Sequence, residues 1–215
     1  MIGHYRLVIF DCDGTLVDSQ HNIVAAMAGA WQRHGLAAPT PEAVRRQVGL
    51  TLEIDLERML DAPTPETVTD LAQAYREIVR DLRGKAALHE QMFGGIRELI
   101  EALHAPEIFL GVATGKNMVG LEHTLAALGL RDRFHTLQTS DRRRSKPDPD
   151  MVLQAMAETA TAPESTGMIG DTSFDIKMAR ADGVTPIGVS WGYHPFEHLR
   201  TAGADAVLGH PSEMI

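Results

Sequence analysis

A set of short apolar runs constrains this chain more than any other feature. Residues 7–10, 108–113, 168–169, 186–189 and 206–208 are almost wholly apolar, and 134–137 is a weaker run of the same kind. Each is too short for a helix and lacks the alternation of a strand with one wet face. Strands buried on both faces of a parallel sheet read this way. Helical stretches lie between them. Ile96, Leu99, Ile100 and Leu103 repeat with a helical period, as do Val119, Leu121, Leu125 and Leu128, where Gly129 supplies a stop. Asp148 before Pro149 predicts an N-cap with proline in the first turn of a helix carrying Met151, Leu153, Met156 and Ala157. The alternation predicts an α/β domain around a parallel sheet.

One segment interrupts that alternation. From 18 to 84 there is no convincing strand, but helical stretches recur: Ile23, Met27, Ala30 and Trp31, then 52–60, then 68–82, punctuated by Pro39, Pro41, Pro63 and Pro65. A single crossover does not need four helices, so the block reads as a second, smaller domain. The expected division is an α/β core of residues 1–17 plus 86–215 and a helical cap of residues 18–85, hinged near 16–19 and 83–88.

At 215 residues, 44% hydrophobic and 23% charged, the chain can bury a real core in one domain carrying an insertion. Its single cysteine, Cys12, excludes an internal disulfide and a cysteine zinc cluster. Twenty Lys and Arg against 29 Asp and Glu give a net charge of −9, which argues against nucleic acid as a partner. No run approaches the ~20 apolar residues of a membrane span. Residues 1–10 lack the apolar region and cleavage site of a secretory signal. The expected location is the cytoplasm, with no membrane partner.

The densest chemical signal is Asp11-Cys12-Asp13-Gly14-Thr15-Leu16-Val17-Asp18. Two carboxylates flank one residue at the carboxyl end of the first strand, where open parallel sheets bind ligands. Gly14 lets the chain turn and present backbone N–H groups. Two close carboxylates repel, so a proton or a cation must compensate them. One can serve as nucleophile and the other as general acid, then base.

The longer string at 11–19, Asp-x-Asp-Gly-Thr-Leu-Val-Asp-Ser, resembles the first motif of the haloacid dehalogenase (HAD) superfamily. Further motifs of that superfamily are matched in order: Thr114 in Gly111-Val-Ala-Thr-Gly-Lys116, Lys146 in Ser145-Lys-Pro-Asp-Pro149, and Asp171 with Asp175 in Ile169-Gly-Asp-Thr-Ser-Phe-Asp175. The resemblance spans nearly the whole chain. It implies a Rossmann-like doubly wound parallel sheet, with the first motif on a central strand between those ending at Thr114 and Gly170. The helical block resembles the C1-type cap inserted in such proteins.

By this resemblance Asp11 is the nucleophile that forms an aspartyl-phosphate, and Asp13 is the acid and then the base. Thr114, Gly115 and backbone N–H groups near Gly14 would bind phosphoryl oxygens, and Lys146 would offset negative charge. Asp11, Asp13, Asp171 and Asp175 carry four negative charges when ionised, and Lys146 leaves three before a phosphate arrives. Unit charges ~4 Å apart at an effective dielectric of 20 interact by about 4 kcal/mol. Hard oxygen ligands and phosphate favour Mg²⁺ as the compensating cation. The implied ligands are the Asp11 and Asp171 side chains and the Asp13 backbone carbonyl, with Asp175 acting through water or orienting Lys146.

Other signals carry less. Gly111–Lys116 has one residue too few for a nucleotide phosphate loop, and Asn117 replaces its Ser/Thr. His194 and His198 have no acidic partner nearby in sequence, so zinc is not expected. Cys12 reads as a small buried residue, and Arg142, Arg143 and Arg144 as a solvated run. Arg45 and Arg46 precede the turn Gln47-Val-Gly49-Leu-Thr51, and the resemblance to C1-capped enzymes, whose comparable turn reaches into the active site, makes them the expected cap ligands for an anionic substrate.

Asp13 points to phosphate monoesters, since dehalogenases and phosphonatases lack an acid there. Phosphonatases also need a cap lysine, and residues 16–84 contain none. Gly188-Val-Ser-Trp-Gly-Tyr-His194 resembles phosphoglycolate phosphatase-like members, which implies a Mg²⁺-dependent hydrolase of a small phosphorylated metabolite, phosphoglycolate-like. A phosphomutase, an inorganic pyrophosphatase, a sugar phosphatase of the same superfamily and a non-catalytic phospho-ligand binder remain open.

Overall fold

A computed structural model describes residues 5–85 and 90–215 of the chain. Six strands form one parallel sheet: β1 (Leu7–Phe10), β4 (Phe109–Thr114), β5 (Thr136–Thr139), β6 (Thr166–Gly170), β7 (Thr185–Val189) and β8 (Ala206–Leu208). Their order is β5-β4-β1-β6-β7-β8. β1 is central, and the chain leaves it toward β4 on one side and returns to β6 on the other. That reversal opens a crevice at the carboxyl ends of β4, β1 and β6. Phe10 lies opposite both Val112 and Ile169, so Asp11, Thr114 and Asp171 emerge at one rim.

The uniform apolarity of β1 follows from its position, because both faces are covered. Leu7 and Ile9 pack with Met151, Val152, Met168 and Met178 on one side. Val8, Phe10 and Cys12 pack with Leu99, Ile100, Leu121 and Leu125 on the other. All four β1 side chains are fully buried, each worth about 1.5–3 kcal/mol. The flanking helices are α5 (Ile96–Leu103), α6 (Met118–Ala127), α7 (Asp150–Thr159), α8 (Ser173–Ala181) and α9 (Phe196–Ala202).

Four helices precede them: α1 (Gln20–Arg33), α2 (Pro41–Arg45), α3 (Leu52–Met59) and α4 (Pro65–Gly84). They bury their own apolar cluster, built on Met27, Ala30, Trp31, Leu56 and Leu71. Thr40 and Thr64 cap α2 and α4 by accepting the N–H of Ala43 and Thr67. No helix among the described residues is long and apolar enough to cross a membrane.

Several local expectations are corrected. The helical block is entered through a strand, β2 (Val17–Asp18), paired antiparallel with β3 (Gln91–Met92). A two-residue strand leaves no periodic signal. α7 begins at Asp150 with Pro149 at its cap position, and the Asp148 carboxylate accepts the Asp150 N–H. Leu153 is exposed, and Val119 is 67% exposed and faces a cavity described below. The expected hinge at 83–88 lies partly outside the described residues.

Candidate active site

The rim loop is fixed by its backbone. The Asp11 N–H continues the ladder by donating to the Ile169 carbonyl at 2.9 Å, and the Leu16 and Val17 N–H groups both return to the Cys12 carbonyl. Gly14 closes the turn at φ +83°, and a Cβ there would overlap the Asp171 carboxylate. Both constraints demand glycine.

Three carboxylates converge beside that turn. Oxygens of Asp11, Asp171 and Asp175 lie within 4.8 Å of one another, and all three residues are fully buried. Asp11 Oδ1 accepts from the Cys12 N–H at 2.6 Å and faces Lys146 Nζ at 2.9 Å. Its Oδ2 is buried with no hydrogen-bond partner. Asp171 accepts from the Thr15 hydroxyl at 2.9 Å and the Tyr193 N–H at 2.8 Å. Asp175 accepts from Thr172 in a capping box at the start of α8, and its other oxygen lies 2.6 Å from Lys146 Nζ.

The electrostatics follow from that crowding. Burial drives the Asp11 carboxyl well above the usual range, and the Asp175 and Asp171 charges add to it against the pull of Lys146. Burial and Asp175 raise Asp171 to about 7. Burial opposes the Lys146 charge, but Asp11 and Asp175 more than offset it and hold the ammonium above its ordinary value. One buried lysine does not neutralise three carboxylates. An all-oxygen donor set with an orphaned, buried Asp11 oxygen can hold a hard cation.

Asp13 is not part of this cluster. Its carboxylate takes Lys116 Nζ at 2.9 Å and the Ser19 hydroxyl. Lys116 is in turn held by Glu90 at 3.0 Å, and Glu90 accepts from the Thr124 hydroxyl. Thr114, the last residue of β4, is buried, and its hydroxyl accepts the Lys116 N–H at 3.2 Å.

The turn after α2 reaches over the rim. A Cβ on Gly49 would lie 3.8 Å from Asp11 Oδ2, and one on Gly115 would overlap the Leu50 carbonyl. The Thr51 N–H donates to the Ser145 hydroxyl at 2.9 Å, and His194 Nε2 donates to the Arg46 carbonyl at 3.1 Å. Between this turn, α3, α4 and the core lies a cavity of about 670 Å³, with Asp13, Gly115 and Lys116 in its wall.

Asp11, Lys146, Asp171 and Asp175 are thus brought together. Thr114, Gly14 and Gly115 stand around them, and Asp13 lies at the cavity wall. Arg45 and Arg46 are not brought in. Arg45 donates to Gln20, and Arg46, 65% exposed, pairs with Glu42 one turn back. Their turn does reach the rim, but it does so with the Gly49 backbone. The arginines of the cavity wall are Arg76, Arg80 and Arg83 on α4. Lys116 and Glu90 escaped the sequence reading, although Lys116 stands two residues after Thr114. Asp55 and Tyr75, also in the wall, carry no sequence signal.

The family model for haloacid dehalogenase-like hydrolases matches residues 8–189. The chain is 33% identical to the probable phosphatase IndB of Dickeya dadantii, covering 97% of this chain and 91% of that one. It is 31% identical to the N-acetylmuramic acid 6-phosphate phosphatase of Pseudomonas aeruginosa over 98% and 93% of the two chains. It is also 31% identical to the phosphoglycolate phosphatase of Chromobacterium violaceum over 99% and 96%. A haloacid dehalogenase-like hydrolase from Streptococcus pneumoniae superposes with a TM-score of 0.85 at 27% identity, over 97% of this chain and 96% of that one. The chain belongs to the haloacid dehalogenase-like hydrolases and, among them, to the phosphatases.

Proposed function

We propose that the chain hydrolyses a small phosphomonoester through an aspartyl-phosphate on Asp11, with Mg²⁺ as the cation of the carboxylate cluster. The observation that carries this reading is the buried, unpartnered Oδ2 of Asp11, in a carboxylate that clusters with those of Asp171 and Asp175 while Lys146 holds its Oδ1. Asp11, Asp171 and the Asp13 carbonyl would hold Mg²⁺, which supplies charge neutralisation at the phosphoryl oxygens.

A carboxylate oxygen of Asp11 attacks phosphorus and the bond to the alcohol oxygen breaks. Asp13, in its protonated form, gives its proton to that oxygen. A water then attacks phosphorus, Asp13 takes the proton, and the bond to the Asp11 oxygen breaks to release phosphate. Thr114, Gly115 and the N–H groups near Gly14 would bind the transferring oxygens. Lys146, fixed by Asp175, would hold Asp11 in line. Residues 18–85 act as a cap that closes over the rim and excludes water. We place the chain in the cytoplasm, a location that a single-cysteine chain without a disulfide framework suits.

Hydrolysis of an aryl phosphate tests this. Activity should require Mg²⁺ and fall by about 10⁴-fold or more in Asp11→Asn. Activity retained in that variant, or unchanged by chelation, would overturn the reading.

A further inference from the structure

The cavity wall holds polar groups that the chemistry above does not use. Asp55 on α3 is 8% exposed, lines the cavity, and has an Oδ1 with no hydrogen-bond partner. Tyr75 on α4 lines the same space, and its hydroxyl makes no hydrogen bond among the described residues. Native proteins pair their buried polar groups, so the orphaned Asp55 oxygen needs an explanation. Met27, Leu52, Val79 and the exposed Val119 supply apolar wall between them.

We propose that this cavity is the alcohol-binding half of the active site, and that Asp55, assisted by Tyr75, selects a sugar-sized leaving group by accepting its hydroxyl or amide hydrogens. The proposal rests on the phosphatase reading and names its substrate class. Asp13 ties the two halves together. It is the proposed donor to the alcohol oxygen and it lines this cavity, so the body of the alcohol must lie there.

Size points the same way. A volume of about 670 Å³ is over twenty water volumes at about 30 Å³ each. A two-carbon acid could bring its carboxylate to Arg76, Arg80 or Arg83 in the wall, but would leave most of the cavity wet and the Asp55 oxygen unsatisfied. A hydroxylated or acetamido-bearing ring has the area to cover the apolar wall and the donors to reach Asp55. Burial also pushes the Asp55 carboxyl well above its ordinary range against the opposing Arg58 charge, so it can serve a neutral partner. A site built to hydrogen-bond a substrate group discriminates strongly against substrates lacking it.

The test compares kcat/KM for glucose 6-phosphate, N-acetylglucosamine 6-phosphate, phosphoglycolate and an aryl phosphate, in the wild type, Asp55→Ala and Tyr75→Phe. The wild type should prefer at least one hexose phosphate over phosphoglycolate. In Asp55→Ala, which removes the acceptor, the ratio of hexose to aryl kcat/KM should fall about 10- to 100-fold, the range of one buried hydrogen bond. Tyr75→Phe should lower it less. This ratio does not depend on how much enzyme is folded. An unchanged ratio, or phosphoglycolate as the best substrate, overturns the proposal. Absence of aryl phosphate turnover in the wild type would overturn the phosphatase reading itself.

Discussion

Asp11 at the sheet rim and Asp55 on α3 of the helical block are both buried aspartates, and they sit in opposite company. Asp11 has Lys146 and the Cys12 N–H on one oxygen, and its carboxylate clusters with two others. Asp55 has an oxygen with no partner and an open cavity beside it. The rim is assembled before substrate arrives, because sheet register and a tight loop hold its charges whatever the leaving group. The cap wall is left incomplete. The difference separates chemistry from selectivity, and perturbing each region should read out differently.

The largest effect should come from Lys146→Met. Removing one partner of a buried pair costs about 3–5 kcal/mol, and the loss of positioned charge should lower kcat about 10³-fold or more. Urea melts and an aryl phosphate assay measure both. A stability change below ~1 kcal/mol would show that the rim is not held by charge.

The pH dependence of the Mg²⁺ effect should then mark out the rim. Asp171 is raised to about 7 by burial and Asp175, whereas an unfolded aspartate titrates near about 3.9. The metal-free fold therefore binds this proton more tightly than the unfolded chain does. Its stabilising contribution is complete below about pH 4 and lost as pH rises through 7, a swing of a few kcal/mol at about 1.4 per unit. Mg²⁺ relieves the repulsion only where the cluster is ionised, so it should raise Tm more at pH 8 than at pH 5. Equal Mg²⁺ shifts at both pH values would contradict the clustering.

Gly115→Ala places a Cβ against the Leu50 carbonyl, where the turn after α2 meets the end of β4. Holding that contact apart should cost about tenfold in kcat/KM, or ~1.4 kcal/mol, without lowering the Tm of the core. An unchanged kcat/KM would show that closure over Gly115 is not needed. The smallest effect should be that of Arg46→Ala. Its exposed pair with Glu42 is worth about 0–1 kcal/mol, so KM should change less than about twofold. A tenfold rise would restore Arg46 as a substrate ligand.

The sheet and the rim were legible in the sequence for one reason. A central parallel strand must be apolar on both faces, and the residues just beyond it must turn, so runs such as Leu7–Phe10 announce both the strand and the site after it. Asp11, Thr114, Lys146 and Asp171 each follow such a run or precede a helix. The cap was harder to read. Arg45 and Arg46 are near the rim in sequence, but helical phase carries Arg46 outward to Glu42 and leaves the Gly49 backbone inward. Lys116 meets Glu90, 26 residues away in the chain, a pairing that no local pattern encodes. Asp55 looks like any acidic residue on an amphipathic helix, and only the packing of α3 against α4 buries it.

Trapping the covalent intermediate tests the central claim most directly. The Mg²⁺-loaded enzyme turning over an aryl phosphate is quenched in acid, reduced with borohydride and mapped by peptide mass spectrometry. Homoserine at position 11, formed only when substrate and Mg²⁺ are both present, is the predicted result. Reduction at Asp13 or Asp171 instead, or at no aspartate despite turnover, would contradict it.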